Sequence, residues 1–222
     1  MFVLNIIVIG SSGHAKVVID SIEKENKYEI IGLLDRFKEV GSSSFGYKII
    51  GKEEDLQNLI KTYKIEGGII AIGDNFIRYT VYDKISQIIP QFNFIKVIHP
   101  SAQIARNVLI GKGTVIMANT TISSEATVGD FCIINNNSSL DHDSKMLDYS
   151  SLAPGSSIGG NVNIGLFTAV SLGVKVIHGI TIGEHTLIGT GATVIKDIPK
   201  YVVAYGTPAK VIRGRIAGEK YL

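Results

Sequence analysis

An apolar side chain returns at every sixth position between residues 104 and 194, and this period constrains the fold of the chain more than any other feature. A period of six fits neither an amphipathic helix nor simple strand alternation. It is typical of a parallel β-helix, in which three hexads make one coil and residues 18 apart lie above one another. The phase holds without an insertion at Ile104, Ile110, Ile116, Ile122, Val128, Ile134, Leu140, Met146, Leu152, Ile158, Ile164, Val170, Val176, Ile182, Ile188 and Val194.

Small residues accompany these apolar anchors at fixed offsets. Two positions before most anchors stands Ala, Ser, Thr or Cys, and directly after many anchors stands Gly, Asn or Asp, as in Asn135, Asp141 and Gly165. The second group tolerates positive φ, so we expect it to form the tight turns of each coil. A run of unrelated strands is the alternative, but such strands would lose the phase at the first loop.

The first hundred residues have a different organisation. Strand-like apolar runs at residues 5–9, 29–34, 47–50, 68–72 and 92–98 are separated by segments with a helical apolar face, after residues 14, 56 and 76. This alternation predicts a small parallel α/β domain. The sequence His99-Pro100-Ser101 marks the boundary, so the expected domains are 1–98 and 99–222.

Composition narrows the possible environments and partners. The balance of 22 basic and 20 acidic residues gives a net charge of +2, which indicates neither a nucleic-acid nor a membrane-surface partner. The single cysteine, Cys132, suits a reducing compartment and occupies a small hexad position, so we interpret it as a packing residue. The apolar run at residues 2–9 is too short for a signal peptide or membrane span, which favours a cytoplasmic protein.

Polar loops follow the predicted strands of the front half. The segment Gly10-Ser11-Ser12-Gly13-His14 joins a strand to a helix, a layout that directs free backbone N–H groups at an anion. It is not a complete GxGxxG, so it is weak evidence for a dinucleotide. Asp35 and the segment Gly73-Asp74-Asn75 follow two other strands. Because ligands bind at the carboxyl ends of parallel strands, we expect these loops to converge on one site.

One histidine has the surroundings of a general base. His142 precedes Asp143, whose carboxylate can fix the imidazole tautomer and raise its basicity. Gly160 lies 18 residues later, one coil away, where its N–H could stabilise an oxyanion. A solvated histidine in a turn is the alternative.

A zinc site is the other chemistry to weigh. His142 and His178 are 36 residues apart, on one face of the predicted β-helix, with His185 nearby, and γ-class carbonic anhydrases are β-helix trimers that bind zinc through three histidines. The separation of seven between His178 and His185 differs from the five of that class. We therefore expect no metal, and His178 and His185 as ordinary turn residues.

Several segments together resemble the bacterial sugar O/N-acyltransferases, the family that includes the bacillosamine-pathway aminosugar N-acetyltransferases and sialic-acid O-acetyltransferases. They cover the chain nearly end to end: GSSGH, LLD, IIAIGDNFIR, HPSA, LDHD, APGSSIGGNVNIG, GTGATVIKDIP and GTPAK. The resemblance implies a Rossmann-like domain followed by a left-handed β-helix, an exception to right-handed crossovers. It also implies a homotrimer with active sites between neighbouring subunits.

The resemblance also implies roles for individual residues. His142 matches the family's general base, Asp143 the acid beside it, which is usually Glu, and Gly160 the glycine whose N–H meets the thioester oxygen. The residues implied for the sugar nucleotide are Ser12, Gly13, His14, Asp35, Arg36 and Gly73, where Arg36 replaces an acid of the bacillosamine enzyme. Those implied for acetyl-CoA are Ser151, Leu172 and Thr190, where Ser151 replaces a common histidine.

The function expected from this resemblance is acetyl-CoA-dependent N-acetylation of the 4-amino group of a nucleotide-linked amino-dideoxy sugar, for surface glycan biosynthesis. Transfer would be direct, without an acyl-enzyme. O-acetylation of a sialic acid or related sugar is one alternative. A trimeric binding protein without catalysis is the other, although the loss of the base or its acid that it would require is not observed, since His142 and Asp143 are both present.

Overall fold

The computed structural model describes residues 3–221 and begins with an α/β front domain. Its helices are α1 (Gly13–Glu25), α2 (Leu56–Tyr63), preceded by a 3₁₀ turn at Glu53–Asp55, and α3 (Asn75–Ile88). Its strands are β1 (Leu4–Ile9), β2 (Tyr28–Leu34), β3 (Ser43–Ser44), β4 (Tyr47–Gly51) and β5 (Gly67–Ile70), in the order β3-β4-β2-β1-β5. All pairs are parallel except the short β3–β4 hairpin.

The apolar face expected for the first helix forms part of the front-domain core. Ala15, Val18, Ile19 and Ile22 of α1 are buried against β1 and β2. The strand expected at residues 92–98 is shorter, because Phe94 makes only an isolated bridge to Gly68. Val97–Ile98 pairs instead with a coil of the second half, so the chain enters that half before residue 99. No helix among residues 3–221 has the length and apolarity to cross a bilayer.

The second half is the parallel β-helix that the hexads predict. Each strand pairs in parallel with the strand 18 residues later, as Ser139–Leu140 does with Ser157–Ile158. The two-residue strands β6 to β22 are Val97–Ile98, Gln103–Ile104, Leu109–Ile110, Val115–Ile116, Thr121–Ile122, Thr127–Val128, Ile133–Ile134, Ser139–Leu140, Lys145–Met146, Ser151–Leu152, Ser157–Ile158, Asn163–Ile164, Ala169–Val170, Lys175–Val176, Thr181–Ile182, Leu187–Ile188 and Thr193–Val194. The antiparallel pair β23 (Val202–Gly206) and β24 (Ala209–Gly214) completes it.

Three sheets form the faces of the prism. The first face contains β7, β10, β13, β16, β19 and β22, the second contains β8, β11, β14, β17 and β20, and the third contains β6 and every third strand to β21, followed by β23 and β24. The first corner joins the first face to the second, the second corner joins the second to the third, and the third corner joins the third to the first. Fourteen anchors, from Ile116 to Val194, are buried inside, while Ile104 and Ile110 at the open end are partly exposed.

The small polar residues before the anchors hold successive coils together through their hydroxyls. Ser144 donates to the carbonyl of Gly159, at 2.9 Å, and accepts from the N–H of Val162, at 3.0 Å. Thr168 makes the equivalent pair of bonds one coil further on. A side chain of this size fits inside the prism and satisfies backbone groups that the corners leave unpaired. Cys132 occupies such a position, fully buried, and burial raises its thiol pKa to about 11, which confirms a packing role.

The expectation for the turn residues is wrong in one respect. Positive φ falls three residues after the anchors, at positions such as Asn137, Asp143 and Asn161, and not directly after them. The glycines directly after the anchors are required for close approach between coils. A Cβ on Gly165 would lie 2.4 Å from the nitrogen of Glu184 in the next coil. The hexad pattern marks both positions as special but does not separate conformation from space.

The second corner carries a column of rings that faces the front domain. Phe131, Tyr149, Phe167, His185 and Tyr201 all have positive φ. Their rings stack with centroids 4.6–5.2 Å apart. Tyr79 of α3 packs edge-on against Tyr149 and Phe167. His185 is therefore a turn residue, as expected, and is also part of the interface between the two halves.

Arg78 of α3 joins the halves from within, because its side chain is fully buried at this interface. All five guanidinium N–H groups are used: they donate to the carbonyls of Phe131, Tyr149, Ile72 and Gly73 and to the side chain of Asn75, at 2.8–3.3 Å. The first two acceptors belong to the β-helix and the others to the front domain. One side chain thus bonds both halves at once.

We expect Arg78→Ala to lower the free energy of unfolding by about 3–5 kcal/mol, because four buried carbonyls lose their donors and a cavity opens. Chemical denaturation followed by circular dichroism measures the change. Arg106→Ala, at an exposed β-helix turn, is the matched control and should change stability by less than about 0.5 kcal/mol. Equal stability of the two variants would contradict this account of the interface.

Candidate active site

His142 and Asp143 form a pair at the first corner, in the turn after β13. The Nδ1 atom of His142 lies 2.8 Å from a carboxylate oxygen of Asp143, and both side chains are more than half exposed. The bond to Asp143, followed by the charge of Asp141, raises the pKa of His142 above its ordinary value. Nδ1 carries the proton in this arrangement, which leaves Nε2 as the basic atom.

Gly160 lies directly beneath this imidazole, one coil further on. A Cβ on Gly160 would lie 2.6 Å from His142 Nε2, so only glycine lets the ring take this position. The Gly160 carbonyl accepts from Gly179, but among residues 3–221 its N–H donates to no acceptor. A basic nitrogen and a free backbone donor are thus adjacent, as the sequence predicts.

The front domain contains a cavity of about 380 Å³ at the carboxyl ends of β1 and β2. Ser12, Asp35 and Arg36 line it, together with Gly10, Ser11, Leu34, Phe37, Glu53, Ile72, Ile77, Thr80, Val81 and Lys84. We call it the front cavity. Burial raises the pKa of the Asp35 carboxyl, but hydrogen bonds from Ser11 and the N–H groups of Phe37 and Lys38 outweigh burial and lower it overall. Arg36 faces Glu53 and Glu54 across this cavity, at 3.7 and 3.8 Å.

A second cavity, of about 310 Å³, lies where the front domain meets the third face. Its lining combines His14 and Gly73 of the front domain with Ser151, Leu172 and Thr190 of the coils. We call it the junction cavity; its remaining lining residues are Ile133, Asn135, Ala153, Pro154, Ala169, Val170, Ser171 and Tyr221. Residues expected to bind two different ligands therefore share one cavity.

His14 reaches the junction cavity from the first turn of α1. Its Nε2 is buried and has no hydrogen-bond partner among the described residues. Burial, followed by the charge of Arg78, lowers its pKa to about 4. The ring is therefore neutral at physiological pH and has a free nitrogen to offer a ligand.

The expected residues therefore fall into three places, not one. The front loops do not converge as predicted, because Ser12, Asp35 and Arg36 face one cavity while His14 and Gly73 face the other. Gly13 stands between them, and a Cβ there would meet no atom within 4 Å. His142, Asp143 and Gly160 line neither cavity. The largest concavity, about 610 Å³ on the second face, contains none of the expected residues.

Known proteins are similar to this chain over both halves. A model of the PglD N-terminal domain matches residues 5–85. UDP-N-acetylbacillosamine N-acetyltransferase from Bacillus subtilis is 33% identical over 116 residues, which span 51% of each protein, so the alignment covers about half of that relative. PerB from Caulobacter crescentus, solved with CoA and GDP-perosamine, is 32% identical with a TM-score of 0.87, over 94% of this chain and 97% of PerB.

This chain belongs to the bacterial sugar O/N-acyltransferase family. The acetyltransferase domain of PglB from Neisseria gonorrhoeae, solved with acetyl coenzyme A, is a further similar structure, 29% identical with a TM-score of 0.87, over 95% of this chain and all of that domain. The expected fold, a Rossmann-like domain followed by a left-handed parallel β-helix, is confirmed by these structures.

Three residues of this family member were not singled out from the sequence. Glu53 is buried in the wall of the front cavity, 3.2 Å from Lys84, although charged residues are rarely so buried. Arg78 appears in the segment IIAIGDNFIR only as one letter of a motif. Its burial depends on the docking of the two halves, which no local pattern reports. Among residues 3–221 no three His, Cys, Asp or Glu side chains cluster as a metal site would require.

We expect Asp143→Asn to lower the pKa of His142, because an amide does not stabilise the imidazolium as the carboxylate does. Neutral imidazole would then persist to lower pH. NMR titration of the histidine ring protons, without substrates, measures the shift, and His178 serves as an internal control. A His142 titration curve identical in wild type and variant would show that the pair is not coupled.

Proposed function

We propose that this chain transfers the acetyl group of acetyl-CoA to the 4-amino group of a nucleotide-linked amino-dideoxy sugar, for surface glycan biosynthesis. The relatives support the class of reaction, since their names specify N-acetyltransfer and the bound molecules are CoA, acetyl-CoA and GDP-perosamine. The single buried thiol suits a reducing compartment, and we place the reaction in the cytoplasm.

The observation that carries this proposal is the placement of a basic imidazole nitrogen beside a free backbone N–H. The amine nitrogen of the sugar attacks the thioester carbonyl and becomes positively charged as the C–N bond forms. His142 Nε2 accepts the proton that this nitrogen loses. Asp143 holds the imidazole tautomer and stabilises the imidazolium that results.

The Gly160 N–H acts on the other charge. The carbonyl oxygen becomes an oxyanion in the tetrahedral species, where a fixed donor contributes most because the charge exists only there. Collapse restores the carbonyl, breaks the C–S bond and releases CoA thiolate, which takes the proton from the imidazolium. No acyl-enzyme is needed, and the fully buried Cys132 is not a candidate for one.

The two cavities suggest where the substrates bind. The front cavity, with Asp35 for hydroxyl contacts and the start of α1 beside it, suits the nucleotide and its phosphates. His14 and Gly73 then guide the sugar into the junction cavity, and acetyl-CoA reaches the same cavity along Leu172 and Thr190. Arg36 and Lys84, both near Glu53, offer donors to a base from the front-cavity wall.

The position of the base supports a homotrimer. Both substrates would meet in the junction cavity, on the third face, while His142 projects from the first corner with its side chain 61% exposed. One copy of the chain therefore does not bring base and substrates together. A neighbouring copy can supply His142 to this cavity, and repetition of that contact around a threefold axis closes a ring of three equivalent sites.

A thiol-release assay tests the proposed activity. Acetyl-CoA is offered with UDP-, dTDP-, GDP- and CMP-linked 4-amino sugars, and the product is identified by mass spectrometry. CoA release that depends on a 4-amino sugar is the expected result. Release only with a hydroxyl acceptor such as a sialic acid would favour O-acetylation, and no release with any acceptor would favour a binding protein.

We expect His142→Ala to lower kcat by roughly 10²–10⁴-fold, the range for the loss of a general base, without preventing substrate binding. Steady-state kinetics measures the change. His178→Ala is the matched control, because His178 belongs to the same corner two coils further along, and its turnover should equal wild type. Near-normal turnover of purified H142A would remove His142 from the mechanism.

We expect a trimer by light scattering and partial activity when H142A is co-expressed with Gly13→Val, each inactive alone. The added valine would crowd the phosphate approach at the start of α1. In mixed trimers roughly one site in four joins an intact cavity to an intact His142, if assembly is random. Purification through two different tags isolates these mixtures. An active monomer, or mixed trimers without activity, would contradict a shared site.

A further inference from the structure

The segment after β24 returns to the front domain and reaches the junction cavity. Arg215 anchors its start, donating to the carbonyl of His185 at 3.1 Å and to that of Glu219 at 2.6 Å. Gly218 packs so closely on α3 that a Cβ there would lie 3.0 Å from the ring of Phe76. These contacts direct Tyr221 into the gap between the front domain and the coils.

Tyr221 has a polar environment on the wall of this cavity. Its phenol oxygen accepts from the N–H of Asn75 at 3.1 Å, and its ring lies 5.1 Å from the guanidinium carbon of Arg215. Burial raises the pKa of the phenol, against the opposing effects of Arg78, Asn75 and the Ser151 hydroxyl, so its proton stays in place at physiological pH. Since the oxygen already accepts a bond, the O–H remains as a donor.

The contacts of Asn75 show which end of the cavity Tyr221 occupies. The Asn75 side chain donates to the carbonyl of Thr168, at 3.2 Å, just before the strand Ala169–Val170. Leu172 follows the same strand at its other end. Tyr221 therefore lies on the side of the front domain, near His14 and Gly73, and across the third face from the residues proposed for acetyl-CoA.

We infer that Tyr221 is a positioning residue for the acceptor, whose phenol O–H donates to a sugar hydroxyl or phosphate oxygen in the junction cavity. The identity of the acceptor as a nucleotide-linked sugar rests on the proposed function. The contact is made equally in the ground state and the transition state. It therefore lowers KM for the acceptor and leaves kcat little changed.

Binding of GDP- and UDP-linked 4-amino-4,6-dideoxy sugars, measured by calorimetry without acetyl-CoA, tests this inference. Tyr221→Phe keeps the ring and removes only the hydroxyl, so the fold is preserved. We expect the Kd of the better-bound probe to rise roughly 3–10-fold, as for the loss of one uncharged hydrogen bond. The Kd for acetyl-CoA should not change. Lys220→Ala, at the exposed preceding residue, is the matched control and should match wild type for both ligands.

Each other result overturns the inference. An unchanged sugar Kd in Y221F would show that the hydroxyl makes no contact, and an equal loss of acetyl-CoA affinity would indicate a structural role. A wild-type protein that binds neither probe would leave the tyrosine without an acceptor to position. Wild-type protein that binds a probe but does not acetylate it refutes the proposed function instead, and the effect of Y221F on binding then still stands.

Discussion

The buried guanidinium of Arg78 is the interaction on which the relation between the two halves depends. A fully buried cation normally has a carboxylate partner, because desolvation of a charge is costly. Arg78 instead satisfies its five N–H groups with four carbonyls and one amide oxygen. Two of these carbonyls belong to the ring-bearing corner of the β-helix and two to the loop that begins with Ile72. Any rotation of one half against the other would break several of these bonds at once.

This rigid junction matters because the junction cavity has walls from both halves. His14 and Gly73 come from the front domain, and Ser151, Leu172 and Thr190 come from the coils. Neither half forms the cavity alone. The charge of Arg78 also contributes, after burial, to the low pKa of His14. The same residue thus sets the shape of the cavity and keeps one of its side chains neutral.

The repeat could be predicted from sequence because each hexad closes locally, so the spacing alone determines which residues face the interior. The His142–Gly160 contact followed from the same arithmetic of 18 residues per coil. The two cavities could not be predicted in this way, because their shapes depend on how α3 docks against the second corner. Tyr221 lies 70 residues from Ser151 in the chain, and no period connects them. The exchange of roles between turn positions, with Gly165 needed for space and Asn161 for positive φ, required coordinates.

The stacking of coils has a consequence for how a site between subunits can be built. Rotation about an axis parallel to the β-helix leaves the height of every atom along that axis unchanged. A base from one copy can therefore meet the cavity of another only if both lie at nearly the same level. His142 and Ser151 are nine residues apart in one coil, a rise of roughly 2.4 Å, half of one strand spacing. The repeat number of each functional residue is thus an axial coordinate, and displacement by one coil would separate base from acceptor by about 4.8 Å, which exceeds the reach of a hydrogen bond.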